Sequence, residues 1–227
     1  MKREKRERRM LLMMGTIPIV STTHIASLFE DTKHPNKRAS EGLRRLEREG
    51  LVEGKDRELG KTKVWRLSPK GKKMLGVSFP TLRLTSRTVD HVLAVADVYT
   101  VLSQSHDLHD FMFEPRSSFT DKKGKKRNYC PDAFFVWKGN PYFLEVQRTK
   151  MSRTYWSKKW STVNLFVEGG HMRASLFREY DRIPVLTLSQ QQEETITFGA
   201  TVPVLCYSSI HDFMLETSQH PVTTKKP

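Results

Sequence analysis

At 227 residues, 37% of them hydrophobic and twelve of them phenylalanine, the chain can hold one large domain or two small ones with real cores, which argues for a folded protein. Its formal net charge of +14 is uneven: residues 1–80 carry 20 Lys/Arg against 10 Asp/Glu, and the remainder 19 against 15. A basic first third points to a polyanionic partner, usually nucleic acid, while only two cysteines, Cys130 and Cys206, exclude a disulfide scaffold and fit a reducing cytoplasm.

Residues 2–14 alternate charge and end in "MLLMM", which reads as a helix with an apolar C-terminal part. A basic start before an apolar run superficially copies a signal peptide, but Gly15 and Pro18 break the run and no small-x-small cleavage site is evident. No other apolar segment nears the ~20 residues that span a bilayer, so a cytoplasmic protein with no membrane partner is expected. Ser21 is placed to cap a helix over "TTHIASLFED", and "TKHP" makes a turn. The next helix starts near Pro35 and runs through "NKRASEGLRRLEREG", with Ala39, Leu43 and Leu46 as its buried stripe and Gly50 as its stop. Its other face presents Lys37, Arg38, Ser40, Arg44 and Arg45.

Two short strands, "LVEG" and "KTKVWRLS", then flank a charged tip, and Ser68-Pro69 opens a further helix. Helix, turn, helix and basic hairpin is the layout of a winged helix-turn-helix, predicted over residues 1–80. The second helix of such a unit enters the major groove of double-stranded DNA and the hairpin touches its backbone. Arg and Lys on the helix suit guanine edges; Lys61 and Lys63 on the wing suit phosphates.

A second domain is predicted over 81–215, followed by a flexible tail at 216–227. It opens near Leu82 with a helix whose apolar face holds Val89, Val92, Leu93, Ala96, Tyr99 and Val101. "DFMFEP" is a strand, and the polybasic "DKKGKKRN" an exposed loop. If "KGNP" is the turn of the next hairpin, Trp137 faces Tyr142, Asp132 faces Gln147, and Phe134 faces Glu145. Strand alternation then puts Asp132, Glu145 and Gln147 on one face. That face is otherwise largely apolar, so the two acids need a partner, a metal or a Lys/Arg. A helix follows with Trp156, Trp160, Val163 and Val167 at helical spacing, then strands at "RIPVLTLS" and "TVPVLCYSS". The order suits an α/β (α+β) sandwich with a mixed central sheet. His106 and His109 have no thiol or acid cluster that would complete a zinc set.

A Pro-Asp at the head of one strand with Glu-x-(Lys/Gln/Asp) on the next resembles the PD-(D/E)XK, restriction-endonuclease-like superfamily. The run "PDAFF…FLEVQRTK…WSKKW" behind a winged helix is similar, more narrowly, to the replication-relaxation family of mobile-element proteins, over roughly residues 16–210. The resemblance implies a metal held by Asp132 and Glu145, with Gln147 in the third position. A lysine is the usual residue there in the wider superfamily and an Asp is common in the narrower family, so this chain departs from both, although some active restriction endonucleases resemble its Glu-x-Gln pattern. Two carboxylates can hold one Mg²⁺ with waters; a neutral amide can orient a water but cannot serve as a base. Lys150, Lys158 or Lys159 of the following helix could supply the missing charge, and Lys159 is the one placed with the catalytic set. The function expected is DNA binding for a plasmid, phage or integrative element, in replication, transfer or transcription control. The alternative is a Mg²⁺-dependent DNA endonuclease targeted by the winged helix. A homodimer and contact with replication or transfer machinery stay open.

Overall fold

The computed structural model describes residues 3–57, 62–79 and 85–219. They fall into two compact units, 1–100 and 101–227. In the first, α1 (Arg3–Thr16) leads through the short strand β1 (Val20–Ser21) to α2 (Thr22–Ser27), α3 (Pro35–Arg48), β2 (Val52–Lys55), β3 (Val64–Leu67), α4 (Pro69–Leu75) and α5 (Ser86–Ser103). Ser21 caps α2 as expected. Its hydroxyl accepts from the His24 N–H at 3.2 Å, and His24 Nδ1 accepts from the Ser21 N–H at 3.0 Å, so a histidine completes the capping box. That leaves Nε2 as the protonated nitrogen, and it donates to Asp97 Oδ1 of α5 at 2.7 Å. Arg57 ion-pairs with Asp90, also on α5. These two ties hold most of α5 in the first unit, so compactness divides the chain at Thr100/Val101. The division expected at 80/81 and the helix start near Leu82 lie outside the described residues. Within α5 the buried residues are Val89, Val92, Val95, Ala96, Val98 and Leu102, while Leu93, Tyr99 and Val101 are only half-buried.

Helix α3 begins at Pro35 and buries Ala39, Gly42, Leu43 and Leu46. Behind it, β2 and β3 form an antiparallel hairpin, and β1 adds on the far edge of β3. The hairpin tip, with Lys61, lies outside the described residues. Ser68 caps α4 through the Gly71 N–H at 3.0 Å. A Cβ on Gly71 would sit 2.1 Å from the Leu51 carbonyl oxygen, which is itself fixed by the Ser68 N–H at 3.0 Å. In an unconstrained helix Gly→Ala gains about 1 kcal/mol. Here Gly71→Ala forces backbone apart, and we expect it to cost about 1–3 kcal/mol. An unchanged or raised melting temperature would contradict that packing.

The second unit holds β4 (Leu108–Phe113), β5 (Ser117–Thr120), β6 (Lys126–Tyr129), β7 (Ala133–Trp137), β8 (Asn140–Gln147), α6 (Arg153–Glu168), a 3₁₀ turn (His171–Ala174), β9 (Val185–Ser189), α7 (Glu193–Ile196), β10 (Val204–Tyr207) and α8 (Ile210–Gln219). Its main sheet is mixed, in the order β10-β9-β8-β7-β4. β7 is antiparallel to β8 and β4, whereas β9 and β10 run parallel to β8. One face packs Phe134, Phe143 and Val185 with Trp156, Trp160 and Phe166 of α6. On the other, Phe213 of α8 meets Phe135 and Tyr142, with ring centroids 6.5 and 5.2 Å apart. Strands buried on both faces account for the near-continuous apolar runs in the sequence.

Three local expectations change. The polybasic run is not a plain loop: β5 and β6 pair as a hairpin around it. Asp121 organises that turn, accepting from the Lys123 and Lys125 N–H groups at 2.9 and 3.0 Å and from Arg127 Nε at 3.0 Å. Those donors, the Lys125 N–H foremost, hold its carboxyl below the ordinary value. In α6 the buried position is Phe166, with Val167 only half-buried, because the stripe follows 3.6 residues per turn. Residues 216–219 of the expected tail belong to α8; residues 220–227 lie outside the described residues.

Candidate functional site

The β7–β8 turn is shorter than the sequence suggested. Lys138 and Gly139 both take positive φ, 47° and 76°, the two-residue arrangement whose twist suits a hairpin. Trp137 therefore pairs with Asn140 and Phe134 with Phe143. The register moves by two residues, which keeps every side chain on its expected face. It changes who faces whom: continued past Ala133↔Leu144, it brings Asp132 opposite Glu145, with Gln147 one step further along.

Asp132 follows Pro131, which has no N–H and suits the first position of a strand. The Asp132 N–H donates to the Leu144 carbonyl at 3.0 Å, and its carboxylate accepts from the Val146 N–H at 2.7 Å. Glu145 is 2% exposed, and the Lys159 ammonium of α6 donates to its Oε2. Burial alone would lower the pKa of Lys159; the carboxylates of Glu145 and Asp132 outweigh it and push the ammonium above its ordinary value. The partner that a buried Glu145 requires is thus a lysine from the next helix. Ser152 fixes the start of that helix, its hydroxyl accepting from the Tyr155 N–H at 3.2 Å. Gln147 sits on the same face but uses its amide on Thr149, donating to the carbonyl and the hydroxyl at 3.1 Å each.

Two groups were not foreseen. Thr187 of β9 pairs with Glu145 in the parallel ladder, and its hydroxyl is buried with no hydrogen-bond partner among the described residues. The Tyr129 hydroxyl is likewise buried and unpartnered. Burial raises its pKa well above the ordinary value, and the charges of Glu145 and Asp132 add to that, so it stays a neutral donor beside two acids. Neither was legible, because Thr187 depends on a distant parallel pairing and Tyr129 on a hairpin hidden in a charge run.

The donor set is chemically suited to a hard divalent cation: two carboxylates at facing ladder positions with hydroxyls nearby. Against that, Lys159 already neutralises Glu145, so an ion at Oε2 would compete with the ammonium. Among the described residues no group of three or more His, Cys, Asp or Glu is placed to hold a metal.

The predicted DNA-facing residues divide as well. Lys37, Arg38 and Arg44 are exposed. Arg48 joins Lys37 and Arg44 on the side of α3 opposite its buried stripe, a position readable from the i, i+4 spacing but passed over. Arg45 does not belong there: its Nε donates to Glu7 of α1 at 2.9 Å, so it braces two helices. Ser40 is half-buried on a flank. Lys63 lies 3.8 Å from Glu47 and 4.5 Å above the Trp65 ring, which holds it against the hairpin. No helix among the described residues is long and apolar enough to cross a membrane.

Fold and site define a mixed α/β protein in which a helical N-terminal unit with a three-stranded sheet precedes a five-stranded sheet domain. Residues 11–175 match the replication-relaxation family, and the chain belongs to it. The family points to a role in the replication or relaxation of mobile-element DNA. No curated protein matches the chain. Among solved structures, protein VC1899 from Vibrio cholerae is similar over 80% of this chain at 9% identity and a TM-score of 0.35. The match spans 42% of that protein's length.

Proposed function

We propose that the chain is a DNA-binding protein of a plasmid, phage or integrative element that acts in replication, transfer or transcription control. The winged helix-turn-helix holds double-stranded DNA, and the nuclease-like domain serves assembly rather than cutting. The observation that carries this reading is the outward row of α3, where Lys37, Arg44 and Arg48 stand opposite a fully buried stripe and behind a basic hairpin. A helix so oriented reaches base edges in the major groove while lysines on the hairpin meet phosphates. The Glu145–Lys159 pair supports the second half, because the domain's most buried acid is already balanced by its own chain.

A second reading, a Mg²⁺-dependent DNA endonuclease, is favoured by one feature: Asp132 and Glu145 occupy facing positions with Lys159 between them and the helix. Asp132 and Glu145 would hold the ion, which when bound polarises a phosphodiester and lowers the pKa of an attacking water. Lys159, released from Glu145, would then neutralise the phosphate, and Gln147 would orient the water by hydrogen bonding.

One assay separates them. Supercoiled and linear duplex DNA are incubated with Mg²⁺ or Mn²⁺ and the wild type or Asp132→Ala. Retention of DNA without cutting is the expected result. Metal-dependent cutting that Asp132→Ala abolishes establishes the second reading, and failure to retain duplex DNA at low salt refutes the first.

A further inference from the structure

Away from the carboxylates, a cavity of about 600 Å³ opens between the β5–β6 hairpin and the segment that follows α6. Arg116 and Ser117 line it from the hairpin side, His171 and Arg178 from the other, and Phe119 and Leu176 supply apolar wall. Arg178 is exposed and has no ion-pair partner among the described residues. The Arg116 guanidinium has Glu114 at 4.0 Å, the outer limit of an ion pair, and the Cys130 thiol as a hydrogen-bond partner. Arg178 is therefore an uncompensated cation on the cavity wall, and Arg116 a weakly paired one. Ser117 is 7% exposed, and its buried hydroxyl finds no hydrogen-bond partner among the described residues. A buried hydroxyl left unpaired costs free energy comparable to a lost hydrogen bond, so such a group on a cavity wall marks a place for a ligand atom. The rings of Phe119 and His171 lie 4.6 Å apart and tilted by 31°, and Leu176 is 63% exposed beside them.

We propose that this cavity binds a nucleotide through its phosphate. Two guanidiniums recognise phosphate oxygens in forked pairs, which point-charge lysines do not do, and the Ser117 hydroxyl adds a neutral donor. A bare phosphate would leave the Phe119, His171 and Leu176 surface unused, whereas a nucleobase stacks on such a surface whatever its identity. The volume is that of a small-molecule site. The cavity shares no residue with the Asp132–Glu145 pair or with α3. The phosphate chemistry is common to a free nucleotide and to one carried on a DNA strand; only the second source rests on the DNA-binding reading above.

The test uses the full chain. Deoxyadenosine monophosphate is titrated by calorimetry, and a short fluorescein-labelled thymidine oligonucleotide by anisotropy. Each is run with the wild type, Arg116→Ala/Arg178→Ala, Ser117→Ala and Arg44→Ala. We expect saturable binding of at least one probe, weakened roughly tenfold or more by the arginine pair and less by Ser117→Ala. Binding of the mononucleotide identifies a free nucleotide as the ligand; binding of the oligonucleotide alone identifies a strand. Arg44→Ala leaves the mononucleotide affinity at the wild-type value, and a parallel titration of duplex DNA with the same variant reads the groove assignment, so the two failures are separately visible. Both arginines are exposed, so their removal keeps the fold, which circular dichroism checks; Ser117→Ala keeps the test alive if it does not. No saturable binding of either probe, or equal affinity in the wild type and both cavity variants, overturns the proposal.

Discussion

Lys159→Met lowers the unfolding free energy by about 3 kcal/mol, the lower end of the range for breaking a buried pair, because Lys159 itself is a quarter exposed. Methionine keeps the length of the side chain beside Trp156, over which the ammonium lies at 5.9 Å. The loss therefore reports the charge left on Glu145 more than lost packing. Adding Glu145→Gln to the variant removes that stranded charge, and the double variant recovers most of the stability, with a coupling energy of about 1–3 kcal/mol. The pH dependence has a definite sign. The folded pKa of Lys159 is raised, so its contribution is complete below about pH 10.5 and is lost as pH rises through the folded value. The difference between wild type and Lys159→Met thus narrows in strong alkali. Urea unfolding monitored by tryptophan fluorescence measures each of these. A single-variant cost under about 0.5 kcal/mol with no coupling would show the pair to be incidental. A metal arm needs no activity: with the ammonium gone, Mg²⁺ raises the melting temperature of Lys159→Met and leaves the wild type unmoved. Stabilisation of both by Mg²⁺ would instead mean that the ion and Lys159 do not compete.

The elements of the N-terminal unit are readable because each is signalled locally. Ser21 and Ser68 are caps, Pro35 and Pro69 stand in first turns, and Ala39, Leu43 and Leu46 repeat at helical spacing. The alternation that placed Asp132, Glu145 and Gln147 on one face was also local, and it survived a two-residue error in the turn because side-chain direction has period two. What facing residues meet is not local. That Asp132 opposes Glu145 depended on two positive φ values at Lys138-Gly139, where the sequence offered Gly139, Asn140 and Pro141 as rival turn formers. Charge patterns show which residues are polar, not which partner each one meets. The basic run is exposed along Lys122–Lys126, as its charge suggests, but Asp121 ties its turn and its flanks pair as strands. A helical wheel shows that Arg45 is polar, whereas the acid it meets, Glu7, lies 38 residues earlier. Lys159 stands out in the sequence by sharing a helix face with Tyr155 and Phe166, but that it meets Glu145 depends on tertiary packing.

That division of α3 sharpens what its arginines should do. Arg44→Ala weakens binding to duplex DNA by about 1–3 kcal/mol if its guanidinium reads a guanine edge. If it meets a phosphate instead, the loss is uniform across sequences and the slope of log K against log salt flattens by about 1. Arg48→Ala on the same row behaves alike, and the two losses add if the contacts are independent. Arg45→Ala gives the opposite pattern. It leaves the salt slope alone, because its charge is already spent on Glu7, and lowers stability by up to about 1 kcal/mol, as expected for a partly exposed ion pair. Anisotropy titrations at four or five salt concentrations, with chemical denaturation of the same samples, separate the two kinds of effect. Should Arg45→Ala flatten the slope while Arg44→Ala and Arg48→Ala do not, the helix meets DNA by its α1 side, and the outward row is only a solvated face.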